Sequence, residues 1–389
     1  MTVTIGHPVY AGMGRTIFDH MSGLARELGA INLGQGFPEG PEPRELIEAA
    51  ARALRERSNQ YPPSAGLPEL RDAVAAYYGR RQRLALERGN VVVTSGATEA
   101  ICSAVLALVQ PGDEVLLFAP AYDAYAPMVR RCGGVPVFVA LRPPGWGYDE
   151  TAIRAAISAR TRVVMLNDPL NPMGTVATPD ELAMLARLCL EHDLLAICDE
   201  VWEEVRFDGR AHASLLGEPG MADRVVKIGS AGKLFGMTGW KIGWMIAGEE
   251  LATLVARAHQ FVTFTTAPAL QWAVAEGLGW GEDWFEGQHA ARAAQRARLQ
   301  GGLAEAGFAV MANAATWFVC VDLAASGIAL DDTAFSERAV REAGVASIPV
   351  SALYEEADAP KGFARLCFTK PDAQIDEAVA RLGRFRAGL

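Results

Sequence analysis

The stretch "GSAGKLFGMTGWKIGW", from Gly229 to Trp244, sets Ser230, Lys233 and Lys241 among five glycines. Two chemistries fit it. A glycine-rich loop lets backbone N–H groups close on a phosphate, and a lysine held in such a loop presents a primary amine that can condense with a carbonyl. Spacing excludes the nucleotide-binding versions. A P-loop needs Gly, four residues, then Gly-Lys-Ser/Thr, whereas here Leu234 follows Lys233 and Lys227 stands five positions before Gly232. The dinucleotide fingerprint GxGxxG is absent from the stretch as well.

Other polar residues stand where apolar runs end. Asp199 closes the run in "AICDEVW", a costly place for a carboxylate unless it meets a cation or a donor. It is either a turn or cap residue or a functional anion. Asn167 and Asn171 in "NDPLNPMGT" follow a second run, with prolines fixing the backbone, and suit a turn as well as a site. "TSGATEAI" leads from a third run into a helical pattern. Its Ala97 and Thr98 belong to an N-cap or to an anion cradle built from free N–H groups. Arg365 in "FARLCFTK" is flanked by apolar strand residues, as a paired core arginine or a carboxylate receptor would be.

These residues need elements to bring them together. From about residue 44 to 270, helical patterns alternate with "NVVVTSG", "DEVLLFAP", "VPVFVAL", "TRVVMLNDP", "LLAICDE" and "RVVKIGS". Each is short, nearly all apolar and ended by a polar or turn residue, which predicts strands buried on both faces with functional loops at their C-terminal ends. The expected fold class is therefore α/β, with a mostly parallel central sheet in a large domain. Ahead of it, "TIFDHMSGLARELG" has apolar residues at helical spacing, and "INLGQGFPEGPEP" reads as a turning loop. Beyond residue 275 come a long Ala/Arg-rich helix, strands at "TWFVCVDL" and "FARLCFTK", and a closing helix, the makings of a smaller α+β domain. The expected division is an arm and helix at 1–43 that belongs with the small domain, a large domain at 44–275 and a small domain at 276–389.

Composition narrows the function classes. Of 389 residues, 50% are hydrophobic and 21% charged, and no run of eighteen apolar residues occurs, so no membrane span is expected. The N-terminus lacks the pattern of a secretory or transit leader, which makes a cytoplasmic location the expectation. Six cysteines without CxxC or CxxH spacing predict free thiols and no metal. A net charge of −10 disfavours nucleic acid and leaves small molecules and a second copy of the chain as partners.

Taken jointly, an anion cradle, an Asn, an Asp and Ser-x-x-Lys followed by a second cation resemble the class I/II aminotransferases, the fold-type I family dependent on pyridoxal phosphate (PLP). The resemblance spans nearly the whole chain. It is closest to the kynurenine/glutamine and methionine aminotransferase branch, through "TIFDHMSGLA", "INLGQGFPEG", "NQYPPSAGLPELR" and "GSAGKLFGMTGWKIGW". It implies that Lys233 carries PLP as a Schiff base, with neighbouring positive charge lowering its pKa. Asp199 would face the pyridine nitrogen and Asn171 the phenolic oxygen. Ser230, Lys241 and the N–H groups of Ala97 and Thr98 would hold the phosphate, and Tyr122, otherwise a core aromatic, would stack on the ring. The glycines would let the backbone approach the cofactor.

The resemblance also implies a homodimer with shared active sites, in which Tyr61 reaches the neighbour's phosphate. Arg365 would bind the substrate's α-carboxylate beside Gly36 and Asn171. Phe18, and Phe264 with Thr265 from the neighbour, would line the side-chain pocket, favouring apolar, aromatic or methionine- or glutamine-like amino acids. Arg15 is either a surface residue or a receptor for a second polar or acidic group. One position departs from the family pattern: Trp202 stands where a tyrosine usually bonds the phenolic oxygen, and an indole can donate but not accept. Ping-pong amino transfer is the expected activity, with Lys233 acting as base and acid. The alternatives are a cysteine-conjugate β-lyase and, since only about thirty residues precede the match, more remotely a non-catalytic PLP-binding regulator.

Overall fold

The computed structural model describes residues 6–355 and 358–389. Helix α1 (Ile17–Leu28) starts where the Thr16 hydroxyl accepts the Asp19 N–H at 3.1 Å and stops at Gly29, whose φ of 61° a glycine adopts without strain. Its buried Met21, Leu24 and Ala25 pack on Val340, Ala346 and Ile348. Ile31–Asn32 then pairs in parallel with Val345–Ala346. The N-terminal segment is thus fastened to the C-terminal part of the chain.

Helix α2 (Pro68–Gln82) leads to a seven-stranded sheet: β1 (Val91–Thr94), β2 (Glu114–Ala119), β3 (Val135–Ala140), β4 (Thr161–Asn167), β5 (Leu195–Asp199), β6 (Val225–Ser230) and β7 (Gly243–Ile246). Helices α3 (Ala97–Leu108) and α4 (Tyr125–Arg131) follow β1 and β2. The strand order is β1-β7-β6-β5-β4-β2-β3, parallel throughout except for β7, which runs antiparallel to both neighbours. Two hydrophobic clusters cover the two faces, and burial on both sides accounts for the unbroken apolar runs. The register sets Asn167 opposite Asp199 and Asp199 opposite Ile228, so the polar ends of β4, β5 and β6 lie side by side.

β7 was not among the expected strands. Its first residue, Gly243, reads as a loop signal in sequence, but the glycine answers to space: a Cβ there would stand 2.8 Å from the Gly96 carbonyl carbon and 2.9 Å from Ala97 N. Gly229 corrects the expectation that these glycines serve the cofactor. Its side-chain space is taken by Trp244 Nε1 and the Tyr78 hydroxyl of the protein's own core.

Helix α5 (Glu249–Val262) packs on α3, and the long helix α6 (Glu282–Glu305) leads to a second, antiparallel sheet. Its strands are β8 (Ala309–Val310), β9 (Phe318–Asp322), β10 (Ile348–Pro349) and β11 (Phe363–Cys367), in the order β10-β11-β9-β8. The closing helix α7 (Asp372–Ala387) packs along α6. Among the described residues no helix is long and apolar enough to cross a membrane.

Candidate active site

The strand ends and the start of α3 surround a cavity of about 260 Å³. Ala97 and Thr98 open α3, Asn171 follows β4, Asp199 ends β5 with Trp202 in the next turn, and Ser230 and Lys233 lie at and after the end of β6. Tyr122 and Lys241 complete the lining from loops. One end of the cavity suits an anion. First-turn N–H groups of a helix have no partner inside it, and Gly96, at φ 81°, turns the chain so that a Cβ there would stand 3.1 Å from Lys241 Nζ.

Asp199 sits deeper. It is 6% exposed, and burial pushes its carboxyl pKa up. The Tyr125 hydroxyl donates to its Oδ2 at 2.6 Å and the Val201 N–H reaches Oδ1 at 3.4 Å, both favouring the charged form. Tyr125 escaped the sequence reading, although it lies in the same "PAYDAYAP" segment as Tyr122. Asn167 holds the geometry: its Oδ1 accepts the Asn171 N–H at 2.8 Å and its amide donates to the Asp199 carbonyl at 3.0 Å.

Lys233 lines this cavity and a second one of about 340 Å³ beside Phe235, Arg292 and Trp317. Its pKa is lowered to about 8. Burial is the main cause; Arg365 and Lys241 add to it, while Cys367 and Asp199 oppose it. Desolvation therefore does most of what the sequence assigned to neighbouring positive charge. Its Nζ donates to the Gly36 carbonyl at 3.2 Å.

Arg365 on β11 is 2% exposed. It donates to Asn171 Oδ1 at 3.1 Å and to the Gly34 carbonyl, while its Nε has no acceptor. The Phe318 and Phe18 rings face the guanidinium, with centroids 4.0 Å and 5.0 Å away. Among the described residues no carboxylate pairs with it; Asp123 acts only at longer range, and burial lowers its pKa to about 10. A guanidinium so enclosed calls for an anion.

The three residues assigned to a neighbour's site lie elsewhere. Tyr61 is 81% exposed and meets Phe264 edge-on, with ring centroids 5.2 Å apart; Thr265 Oγ1 lies 3.4 Å from the Pro63 carbonyl. None of the three lines the cavity within one chain. Arg15 is exposed just ahead of α1. Glu200, Glu203 and His212 cluster as metal ligands do, yet Lys227 Nζ donates to both glutamates and supplies the cation itself. All six cysteines are free.

A sequence profile described as aminotransferase class I and II matches residues 29–382. A probable N-succinyldiaminopimelate aminotransferase of Mycobacterium tuberculosis is 41% identical over 94% of this chain and 95% of its own length. The solved structure of N-succinyldiaminopimelate aminotransferase from that organism superposes with a TM-score of 0.93 over 97% of this chain and 99% of that one. Methionine aminotransferase of Escherichia coli is 37% identical over 95% of this chain and 96% of its own length. Kynurenine–oxoglutarate transaminase 3 of Rattus norvegicus is 32% identical over 94% and 87% respectively.

Proposed function

The chain belongs to the class I and II aminotransferases, enzymes that hold PLP on a lysine, and from that premise we propose that Lys233 is this lysine and that the substrate is an α-amino acid held by Arg365. The residues present fit the cofactor. A buried carboxylate that accepts from Tyr125 suits a pyridinium nitrogen, and the anion-ready end formed by Ala97, Thr98, Ser230 and Lys241 suits a phosphate. Asn171 lines the cavity with Lys233 and accepts from Arg365, so it can meet the phenolic oxygen and the substrate. When bound, PLP supplies the electron sink for the pair left at the substrate's Cα.

The chain's own groups do the rest. With a pKa near 8, about one Lys233 amine in ten is neutral at pH 7, against roughly one in a few thousand at the ordinary lysine value. Freed from the cofactor, it takes the Cα proton as base and returns one as acid. Arg365 fixes the α-carboxylate and hence the position of the Cα hydrogen. The two half-reactions exchange one amino acid for one 2-oxo acid at a single site, which gives ping-pong kinetics.

The observation that carries this reading is Arg365: a buried, aromatic-walled guanidinium with no paired anion among the described residues, bonded to Asn171 in the cavity that Lys233 lines. The Phe18 and Phe318 rings beside it favour an apolar, aromatic or methionine- or glutamine-like side chain. A second reading, a substrate with an acidic tail, is favoured by Arg15 ahead of α1 and by the similarity to the N-succinyldiaminopimelate aminotransferase. A half-reaction screen separates them: each amino acid is mixed with the coloured enzyme and loss of the visible absorbance is followed. Arg15→Gln should weaken only acidic-tailed substrates; equal effects on all would remove the second reading.

The exposed Tyr61, Phe261 and Phe264 are the surface we assign to a homodimer, with Tyr61, Phe264 and Thr265 completing the neighbour's site.

A further inference from the structure

Two buried indoles flank the Lys233 amine. Trp202, in the turn after β5, is 3% exposed, and Trp317, just ahead of β9, is 1% exposed. Their rings meet edge to face, with centroids 5.1 Å apart. Lys233 Nζ lies 4.7 Å from the Trp202 centroid and 5.1 Å from that of Trp317, and it donates to the Gly36 carbonyl at 3.2 Å. Two π faces and a carbonyl oxygen are electron-rich neighbours, which attract an ammonium far more than a neutral amine. Tryptophan provides the strongest π face, and Trp202 stands where the family pattern has tyrosine.

We propose that Trp202 and Trp317 form a cage that receives the Lys233 head group as an ammonium when the lysine is released from the cofactor, before it gives up a proton to serve as base. This rests on the assignment of Lys233 above. The cage favours release and keeps the amine in place for its return, making Trp202 and Trp317 positioning residues. Among the described residues no carboxylate stands within ion-pair distance of Nζ. The other groups acting on it are Asp199 of β5 and Cys367 of β11, which favour its charge, and Arg365 of β11 and Lys241, which oppose it. From α6, Arg292 also stands over Trp317, at 5.9 Å from the ring centroid. At contact range the rings and the Gly36 carbonyl therefore offset the burial.

A 2-methyl amino acid provides the test, because its amine can displace Lys233 while it has no Cα hydrogen to lose. In that exchange its nitrogen would replace Nζ on the cofactor's aldehyde carbon, and the hydrogens its ammonium sheds would equal those that the released Nζ gains to become an ammonium. The holoenzyme is titrated with this analogue, following visible absorbance, as wild type, Trp317→Phe, which keeps a π face, and Trp317→Met, which fills much of the space without one. At neutral pH the Trp317→Met dissociation constant should be about fivefold above wild type, and that of Trp317→Phe within about twofold. The Met ratio should shrink towards one well above pH 8, where a released Nζ is neutral in either protein. An unchanged constant, or one raised by the same factor at every pH, overturns the cage.

If the Met variant does not fold, a crystal structure of wild type with the analogue bound decides the matter. Nζ within about 6 Å of both ring centroids supports the cage, and Nζ anywhere else overturns it. Lys233→Ala separates the two possible failures. If that variant keeps the visible absorbance of the lysine-bound cofactor, the Lys233 assignment falls and the cage with it.

Discussion

At the scale of single residues the site sets groups of opposed tendency against burial. Burial lowers the Lys233 and Arg365 pKa values and raises that of Asp199, while the Tyr125 hydroxyl holds Asp199 towards its charged form. Removing that hydroxyl by Tyr125→Phe should raise the Asp199 pKa and weaken cofactor affinity by about tenfold, a loss that grows as pH falls. Equilibrium titration of the cofactor-free enzyme with PLP at several pH values checks this; an unchanged affinity would contradict the role. The rate of the half-reaction should rise with pH through about 8, as Lys233 becomes a free base, and stopped-flow absorbance across that range measures it. Arg365→Lys keeps the charge but loses the planar fork, so KM for the amino acid should rise by about ten- to a hundredfold with a smaller change in kcat. Of the residues that line the cavity, Asp199 and Asn167 stood out in sequence because each closes an apolar run with a residue that does not belong in a core. Tyr125 and Trp317 did not, because a buried aromatic looks the same in sequence whether it packs or serves a polar partner.

At the scale of elements, the sheet register places the ends of β4, β5 and β6 together, and a buried charge network stands behind them. Lys227 on β6 donates to Glu200 and Glu203; Glu203 also takes bonds from Tyr78 and Gln82, and Glu200 from Ser214, with His212 Nε2 at 2.6 Å. Glu200 directly follows Asp199, so this network anchors the turn that aims the site. Lys227→Met leaves two buried carboxylates without their cation and should cost about 3–5 kcal/mol, read by denaturant unfolding. Lys227 and its neighbours hold the Glu200 pKa at about 2, below its ordinary 4.5. Its contribution to stability is therefore complete above about pH 4.5 and is lost as pH falls from there towards 2, which acid unfolding of wild type against Glu200→Gln measures. A sequence signal for the network existed: a lysine in the middle of the apolar "RVVKIGS" must find a carboxylate. The missed strand β7 had a weaker one, because Gly243 serves a close approach that only the folded chain reveals.

At the scale of the whole molecule, the chain leaves an aromatic face uncovered. Phe261 is 87% exposed and Tyr61 81%, and Phe264, at 42%, meets Tyr61 edge-on. A patch of this kind marks an interaction surface. If this face forms the proposed homodimer, Phe261→Arg should yield a monomer in analytical ultracentrifugation and lower activity with it, because Tyr61, Phe264 and Thr265 would no longer reach a neighbour; an active monomer would contradict the shared site. The class of fold could be read from the alternation of apolar runs with helical patterns. The sequence reading puts residues 1–43 with the small domain, but the contacts that fasten α1 and Ile31–Asn32 to the C-terminal part of the chain were not legible, since those partners lie more than three hundred residues apart in sequence. The central claim is amino transfer through Lys233. It is tested most directly by incubating an amino acid that bleaches the enzyme in the half-reaction screen with a 2-oxo acid and identifying both products by mass spectrometry, for wild type and for Lys233→Ala. The account predicts that wild type forms the new 2-oxo acid and the new amino acid in equal amounts, while Lys233→Ala shows no visible absorbance and nearly no product; a Lys233→Ala enzyme that still turns over at a rate near wild type would contradict it.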